Sequence, residues 1–277
     1  MRSRREKGFT LVELIVTVSV ISVLMSIIIP AIAGVRRQAN QVVCMSNMRQ
    51  LGFAFVCYAS DNDGYAVGAC DAGSETYWWG QKVEGGIDHT RGPLWDYMRS
   101  ELEKGSVYEC PSQRFGTYML QGKPAGEPDG EEWITSTYGY NGYYLSPPAS
   151  GWGQISHRPW QKLSSIRKPG KVIVFADSLM DWDTTGTSSR VTNIAYIDPP
   201  KILSGSGKYW QNNGSPTTCF RHNEKSNIVF ADLHCEGMMV GKGGYSSAVA
   251  KIGSVSEENG PYYVPDWESW APSGGRR

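Results

Sequence analysis

The sequence predicts an α+β protein with one long N-terminal helix and a β-rich body. An apolar stretch at residues 9–34 is followed by a more polar segment that keeps a helical apolar stripe, and β-branched runs appear late in the chain. With 32 Gly and 15 Pro among 277 residues, long loops are expected between the regular elements. The formal net charge is zero, so we expect no nucleic-acid partner.

The N-terminus predicts a membrane helix. Residues 1–8 form a basic leader with four cationic side chains against one carboxylate, and Glu13 is the only ionisable side chain of residues 9–34. At a rise of about 1.5 Å per residue, such a helix is about 37 Å long and spans a hydrocarbon core of about 30 Å with tilt. The basic leader predicts that residues 1–8 stay in the cytoplasm and that the body is exported.

Three interpretations of this segment compete. One is a cleaved secretory signal ending near Ala31-Ile32-Ala33, but the apolar stretch is longer than the usual, roughly 7–15 residues and contains a glutamate. A plain signal anchor is the second. The third follows from the junction Lys7-Gly8-Phe9-Thr10-Leu11-Val12-Glu13, which closely resembles the type III signal of type IV prepilins and type II secretion pseudopilins. Pro30 fits this resemblance, because many of these helices carry a proline at that point.

The resemblance implies cleavage between Gly8 and Phe9 by a prepilin peptidase, followed by N-methylation of Phe9. It also implies a role for Glu13, because a carboxylate in lipid needs a partner. In a filament the Phe9 ammonium of a neighbouring subunit supplies that charge, so Glu13 sets the register of assembly. The alternative is a glutamate that reaches water at the membrane edge. Pro30 removes one backbone hydrogen bond, which predicts a kink or a locally melted turn.

The helix is predicted to continue through residues 35–62. This segment has an apolar stripe with helical spacing that consists of Cys44, Met48, Leu51, Phe55 and Tyr58. We expect the body to pack on this stripe, because the stripe must be buried. We expect the helix to end near Asp61-Asn62-Asp63-Gly64, with Gly64 as a left-handed cap. A calcium loop of the EF-hand type is disfavoured there, because Ala66 and Ala72 occupy the positions that need Gly and Glu.

The body, residues 63–242, carries three strand signals. A β-branched run covers residues 171–177, and two more at 227–231 and 234–240 flank Asp232-Leu233, where a two-residue hairpin turn is expected. Residues 243–277 lie outside these patterns. We expect them to form a mobile or loosely docked tail with exposed aromatic side chains.

Several short motifs narrow the resemblance. His222 and Asp232 have nine residues between them. Further motifs are Cys44-x2-Asn47, Cys110-Pro111-Ser112, Tyr138-x-Tyr140-Asn141 and Phe175-Ala176-Asp177-Ser178. Together they resemble prepilin-type proteins with a C-terminal His-x9-Asp-Gly element, although Leu233 stands where that family has glycine. The resemblance implies a pilin-like fold, in which a long N-terminal transmembrane helix packs on an antiparallel β-sheet with long loop insertions.

Two clusters in the sequence contain residues that could carry catalysis or bind a metal. The first consists of His222, Asp232 and His234; the favoured alternative is that His222 packs under the hairpin and hydrogen-bonds its backbone. The second is a candidate calcium loop formed by Asp177, Asp181 and Asp183, with a solvated acidic loop as the alternative. The chain has no Cys-x2-Cys or His-x3-His spacing, no phosphate loop and no dinucleotide fingerprint. We therefore expect no catalytic residue, no metal site and no cofactor.

The chain has six cysteines, and an exported body is in an oxidising compartment, so disulfides are plausible. Six cysteines can pair fully in fifteen ways, so the sequence leaves the pairing open. They are Cys44, Cys57, Cys70, Cys110, Cys219 and Cys235. Cys44 and Cys57 lie about 20 Å apart along one helix, so these two cannot pair with each other.

The expected function is that of a non-enzymatic structural subunit of a type IV pilus-like or type II secretion pseudopilus filament. It would be a single-pass inner-membrane protein with a periplasmic body, or part of an extracellular filament. Its expected partners are prepilin peptidase, other pilin-like subunits in a homo- or hetero-oligomeric filament, and an inner-membrane assembly platform. The alternatives are a minor or tip subunit that displays a carbohydrate- or protein-binding face, and a membrane-tethered hydrolase.

Overall fold

The computed structural model describes residues 10–71, 75–83, 86–100, 106–113, 135–148, 155–156, 158–181 and 191–270. Packing divides the chain into two units, residues 1–40 and residues 41–277. The main helix, α1, spans Leu11–Asp61. The short helices are α2 (Trp95–Met98) and α3 (Gly142–Leu145), with 3-10 turns at His89–Arg91, Leu163–Ser165, Pro169–Lys171 and Trp267–Ser269.

The described strands are short and number fourteen. They are β1 (Thr76–Tyr77), β2 (Gly80–Val83), β3 (Gly86–Asp88), β4 (Tyr138–Tyr140), β5 (Ile173–Asp177), β6 (Met180–Asp181), β7 (Val191–Thr192), β8 (Lys201–Leu203), β9 (Trp210–Asn212), β10 (Thr218–Cys219), β11 (Lys225–Phe230), β12 (Cys235–Met239), β13 (Tyr245–Ser247) and β14 (Ile252–Gly253).

The central sheet has four antiparallel strands in the order β12-β11-β5-β4. Every residue of β5 is buried, and so is every residue of β11 except Lys225. Such burial on both faces explains why these strands read as continuous β-branched runs in the sequence. Smaller sheets have the orders β1-β2-β3 and β10-β14-β13, and two pairs are formed by β6-β7 and β8-β9. The predicted α+β class with an antiparallel sheet is confirmed.

The second half of α1 packs on this sheet through the predicted stripe. Cys44, Met48, Leu51 and Phe55 are fully buried. The Phe55 ring meets Phe175 of β5 edge-on at a centroid distance of 6.3 Å. Burying each large side chain of this kind contributes roughly 1.5–3 kcal/mol, so the stripe is a large part of the core.

Gly52 allows α1 to approach the sheet closely. A Cβ atom at this position would lie 3.1 Å from Cγ2 of Val229 and 3.1 Å from Cδ2 of Leu233. The helix backbone therefore rests directly on β11 and on the hairpin that follows it. A larger side chain at Gly52 would push the helix and the hairpin apart.

The helix ends where the sequence predicts. Asp61 is the last helical residue, and Gly64 has a φ of 81° while its N–H donates to the carbonyl of Ala59 at 2.8 Å. Glycine takes this left-handed conformation at little cost. The Asp61 carboxylate accepts a hydrogen bond from the Tyr97 hydroxyl at 2.9 Å, which ties the helix terminus to α2.

The turn between β11 and β12 differs from the prediction. The N–H of Leu233 donates to the carbonyl of Phe230 at 2.9 Å, and the N–H of Phe230 donates to the carbonyl of His234 at 3.0 Å. The loop therefore has three residues, a turn closed by Leu233 in the left-handed region at φ 70°, and the predicted two-residue turn is wrong. This conformation costs a non-glycine residue about 1–2 kcal/mol, and the packing of the Leu233 side chain over Gly52 offsets part of that cost.

The predicted loosely docked tail is wrong for residues 252–270. Tyr263 and Val264 are fully buried, and Trp270 stacks on Tyr143 of α3 with a centroid distance of 6.3 Å. The side-chain amide of Asn141 donates to the carbonyl of Tyr263 at 2.9 Å. The aromatic side chains of this segment complete the core instead of standing exposed. Residues 271–277 lie outside the described residues.

Substitutions at two phenylalanines of α1 test the helix–sheet interface. Phe55 is fully buried, whereas Phe53 on the same helix is 58% exposed. We expect Phe55→Ala to lower the free energy of unfolding by about 3–5 kcal/mol. Phe53→Ala is the matched control, and its effect should stay within about 0.5 kcal/mol. Urea unfolding of the purified chain in detergent measures both values, and equal losses would contradict this packing.

Candidate functional site

The start of α1 carries a capping box. The N–H and the hydroxyl of Thr10 both donate to Oε2 of Glu13 at 2.8 Å, and the N–H of Glu13 lies 3.2 Å from the Thr10 hydroxyl oxygen. This reciprocal pairing satisfies two backbone donors that the first turn of a helix leaves free. The Thr-x-x-Glu signature is the sequence signal for this cap, which adds to the assembly role expected of Glu13. Gly8 and Phe9 lie outside the described residues.

The apolar half of α1 has the surface of a membrane helix. By length and composition α1 can cross a membrane, and no residue of its apolar window is buried. The hydroxyls of Thr17, Ser19, Ser22 and Ser26 each donate to a backbone carbonyl three or four residues earlier. Their polar atoms are thus satisfied within the helix, as a lipid environment requires. The helical assignment continues through Pro30, so the predicted kink remains a prediction.

Inside the body, four side chains from separate segments converge. Cys44 lies on α1, Cys110 on the loop that precedes β4, Asp177 at the end of β5 and His222 in the turn before β11. All four are buried, and their potential ligand atoms lie within 4.8 Å of one another. We call these four residues the buried cluster.

The distances within the buried cluster are short. Nε2 of His222 lies 3.2 Å from Sγ of Cys110 and 3.5 Å from Oδ2 of Asp177. Sγ of Cys44 lies 3.4 Å from Oδ1 of Asp177. One imidazole nitrogen therefore faces both a sulfur and a carboxylate oxygen.

Backbone and side-chain hydrogen bonds hold these groups in place. Asn47, one turn after Cys44, donates through its amide to the carbonyl of Glu109 at 3.0 Å, which fixes the loop carrying Cys110 against α1. The N–H of Cys110 donates to the Thr137 hydroxyl oxygen at 2.7 Å. The N–H of Asn227 on β11 donates to Oδ2 of Asp177 at 2.8 Å. The motifs Cys44-x2-Asn47 and Cys110-Pro111-Ser112 thus meet at one point.

Arg221 supplies a positive charge beside the cluster. Its Nε atom lies 3.7 Å from Oδ1 of Asp177, and both side chains are buried. The guanidinium also donates to the carbonyl of Thr137 and to the side-chain oxygen of Gln113, each at 3.2 Å. Asp177 therefore has a buried counter-ion that is held by other groups of the body.

Two pKa values in the cluster move in opposite directions. Burial opposes ionisation of Cys110, but hydrogen bonds with Cys44 and His222 lower the pKa of this thiol to about 6. Burial likewise opposes the charged form of His222, but hydrogen bonds with Asp177 and Cys110 raise its pKa to about 9. The Cys44 thiol differs, because burial raises its pKa well above the ordinary value. The pKa shifts of Cys110 and His222 both have the short contact between the Cys110 sulfur and Nε2 of His222 among their causes.

The buried cluster does not have the geometry of a Cys-His-Asp triad. In such a triad the carboxylate orients the imidazole from the ring nitrogen that the nucleophile does not use. Here Cys110 and Asp177 both face Nε2 of His222. The four side chains are also buried, so a substrate has no direct access to the Cys110 sulfur.

The candidate cluster of His222, Asp232 and His234 does not form. Asp232 and His234 lie together on the exposed hairpin turn, where Oδ1 of Asp232 is 2.5 Å from Nδ1 of His234. His222 is buried instead, and its backbone pairs with Lys225. Its burial agrees with the favoured alternative, but its ring faces Cys110 and Asp177 instead of hydrogen-bonding the hairpin backbone.

The candidate calcium loop loses one of its carboxylates to the buried cluster. Asp177 is fully buried there, while Asp181 accepts a hydrogen bond from the Ser247 hydroxyl at 2.7 Å. Asp183 lies outside the described residues. The expectation of no metal site rested on spacing along the chain, which does not reveal donors from four distant segments.

Comparisons with known proteins give one matching family model and two curated relatives. Residues 3–29 match the family model of the prokaryotic N-terminal methylation motif. Type II secretion system core protein G of Aeromonas hydrophila is 34% identical over 65 residues, which cover 24% of this chain and 46% of that protein. Type IV wide pilus major component PilA4 of Thermus thermophilus is 32% identical over 62 residues, or 22% of this chain and 47% of that protein.

This chain resembles type IV prepilins and type II secretion pseudopilins, and the resemblance predicted from the sequence is confirmed. It spans about half the length of the curated relatives it matches. No solved structure gives a significant match. The apolar helix and the motif fit a membrane-anchored pilin or pseudopilin, a structural class of filament subunit.

Proposed function

We propose that this chain is a structural subunit of a type II secretion pseudopilus or a type IV pilus-like filament. The observation that carries the proposal is the methylation motif at residues 3–29, which lies on an apolar helix with no buried residue in its apolar window. Such a surface is stable only in lipid or against other apolar helices. Before assembly the chain is a single-pass inner-membrane protein with a periplasmic body. On assembly its apolar helix packs against the helices of other pilin-like subunits.

Processing and assembly follow from the same segment. A prepilin peptidase cleaves between Gly8 and Phe9, the new amine is methylated, and an inner-membrane platform adds the subunit to the filament. Before assembly the Glu13 carboxylate caps its own helix through Thr10. In the filament it also pairs with the Phe9 ammonium of a neighbour. Glu13 thus has an intrachain partner in the free subunit and a charged partner after assembly.

The alternative of a tip subunit with an aromatic binding face gains no support from the described residues. Their largest fully buried side chains include Trp78, Trp79, Tyr108, Tyr138, Tyr140 and Tyr263. These aromatic rings form the core of the body and are not available to a ligand. A hydrolase gains no support from the buried cluster, because its groups lack the triad geometry and lie away from solvent.

The leader cleavage is tested by analysing the N-terminus of the protein purified from the membranes of its own cells. We expect the mature chain to begin with N-methylated Phe9, as measured by mass spectrometry of the intact protein and its N-terminal peptide. Gly8→Arg should leave the leader attached, because the peptidase then meets a large cation at the cleaved bond. A mature chain that begins at Gly34 would identify an ordinary secretory signal and contradict the proposal.

Two substitutions separate the charge of Glu13 from its capping role. Gln completes a capping box as Glu does, so Glu13→Gln keeps the cap and removes only the charge. We expect its filament yield to fall by about tenfold or more, which corresponds to a loss of about 1.4 kcal/mol or more in assembly. Thr10→Ala keeps the charge and weakens the cap by about 0.5–2 kcal/mol, so it should assemble nearly as the wild type does.

The filament yield of both variants is measured as the amount of filament sheared from cells relative to total membrane protein. Membrane insertion should be unchanged in each, because the apolar helix is intact. Normal assembly of Glu13→Gln together with loss of assembly in Thr10→Ala would show that capping, not charge, is the role of Glu13.

A further inference from the structure

We propose that Cys44, Cys110, Asp177 and His222 form a structural zinc site. Two thiols, one imidazole nitrogen and one carboxylate are donor types that zinc binds in tetrahedral sites. Zinc is bonded at about 2.3 Å to sulfur and about 2.0–2.1 Å to nitrogen or oxygen, which places neighbouring donors about 3.3–3.8 Å apart. Three donor pairs of the buried cluster are 3.2, 3.5 and 3.4 Å apart, close to such edges, with both oxygens of Asp177 taking part. All four side chains place a ligand atom within 4.8 Å of the others.

The orientation of His222 supports a shared ion. Its Nε2 atom faces the Cys110 sulfur and the Asp177 carboxylate together, and a neutral imidazole has only one lone pair on that atom. Directing the lone pair to an ion between the donors satisfies all of them at once. A pairwise hydrogen bond satisfies only one neighbour at a time.

The charges of a loaded site balance inside the body. Zinc contributes two positive charges, the two thiolates and the Asp177 carboxylate contribute three negative charges, and the Arg221 guanidinium at 3.7 Å restores neutrality. Binding releases to solvent the protons of whichever thiols are protonated, and that of His222 if it is charged. No oxidant or reductant takes part. An isolated charge in this buried place would be costly, and the complete set leaves none.

The site would join the segments on which the fold depends. It links α1 through Cys44, β5 through Asp177, the loop before β4 through Cys110 and the turn before β11 through His222. A four-coordinate ion held by protein ligands alone is the arrangement of structural zinc sites. Zinc would therefore fasten the second half of α1 to the central sheet. This inference does not depend on the filament role proposed above.

The same two thiols offer a competing arrangement, a disulfide between Cys44 and Cys110. Cys44 and Cys110 are not joined to each other in this structure. A disulfide would use two of the four donors and leave His222 and Asp177 without a common partner. The observed separations also suit donors around an ion, so the zinc site accounts for all four side chains. The two arrangements are exclusive, because zinc needs both thiolates.

Metal analysis of the full-length chain, purified in detergent without chelators, tests the proposal. We expect about one zinc ion per chain, with Cys44 and Cys110 reduced when the denatured protein is alkylated and mapped. Cys110→Ser and His222→Ala should each lower the zinc content about tenfold or more under the same washing conditions. Cys57→Ser and His234→Ala are matched controls on exposed residues outside the cluster, and both should keep the metal.

X-ray absorption at the zinc edge is measured on the wild-type chain, so the test remains decisive even if a variant fails to fold. The wild-type chain should show two sulfur ligands at about 2.3 Å and two nitrogen or oxygen ligands at about 2.0–2.1 Å. A wild-type chain without zinc overturns the proposal, whether Cys44 and Cys110 are free or joined as a disulfide. Zinc that has only nitrogen and oxygen ligands, or that persists in Cys110→Ser, overturns it as well.

Discussion

The contact between the second half of α1 and the central sheet is the interaction on which the rest of the body depends. Phe55 fills the space above β5, and Gly52 lets the helix backbone rest on Val229 of β11. Apart from Lys225, every residue of β5 and β11 is buried, so loss of the helix would expose strand surface that has no polar side adapted to water. The loop that carries Cys110 is held by Asn47 of the same helix. Helix, sheet and buried cluster are consequently one packing unit.

One helix therefore serves two environments. Up to about Asn40 its apolar side chains are exposed and its hydroxyls are satisfied internally, which suits lipid or a filament core. From Gln41 onward the body covers one apolar stripe, which includes Cys44 and Phe55, while Val42, Val43 and Phe53 remain exposed. Packing in the body is thus independent of whether the apolar half contacts lipid or neighbours.

Local patterns predicted much of this structure, because helix periodicity and β-branched runs report which face of an element is buried. The stripe through Phe55 and the end of α1 near Gly64 were predicted in this way. The turn at Leu233 was not, since a left-handed leucine is explained only by its packing over Gly52. The buried cluster was missed for a related reason. Its four donors lie far apart in sequence, and only the fold brings them together. The tail was misjudged because its aromatic residues lack periodicity yet fill the core.

Native-state hydrogen exchange of the full-length chain, followed by mass spectrometry, tests most directly whether α1 and the sheet are one unit. Amides in a cooperative unit exchange together, through its unfolding. The account predicts that residues 44–59 exchange as slowly as β5 and β11 and lose protection in the same step when urea is added. Fast exchange of residues 44–59 while β5 and β11 remain protected would show that the sheet is stable without the helix, and it would contradict the account.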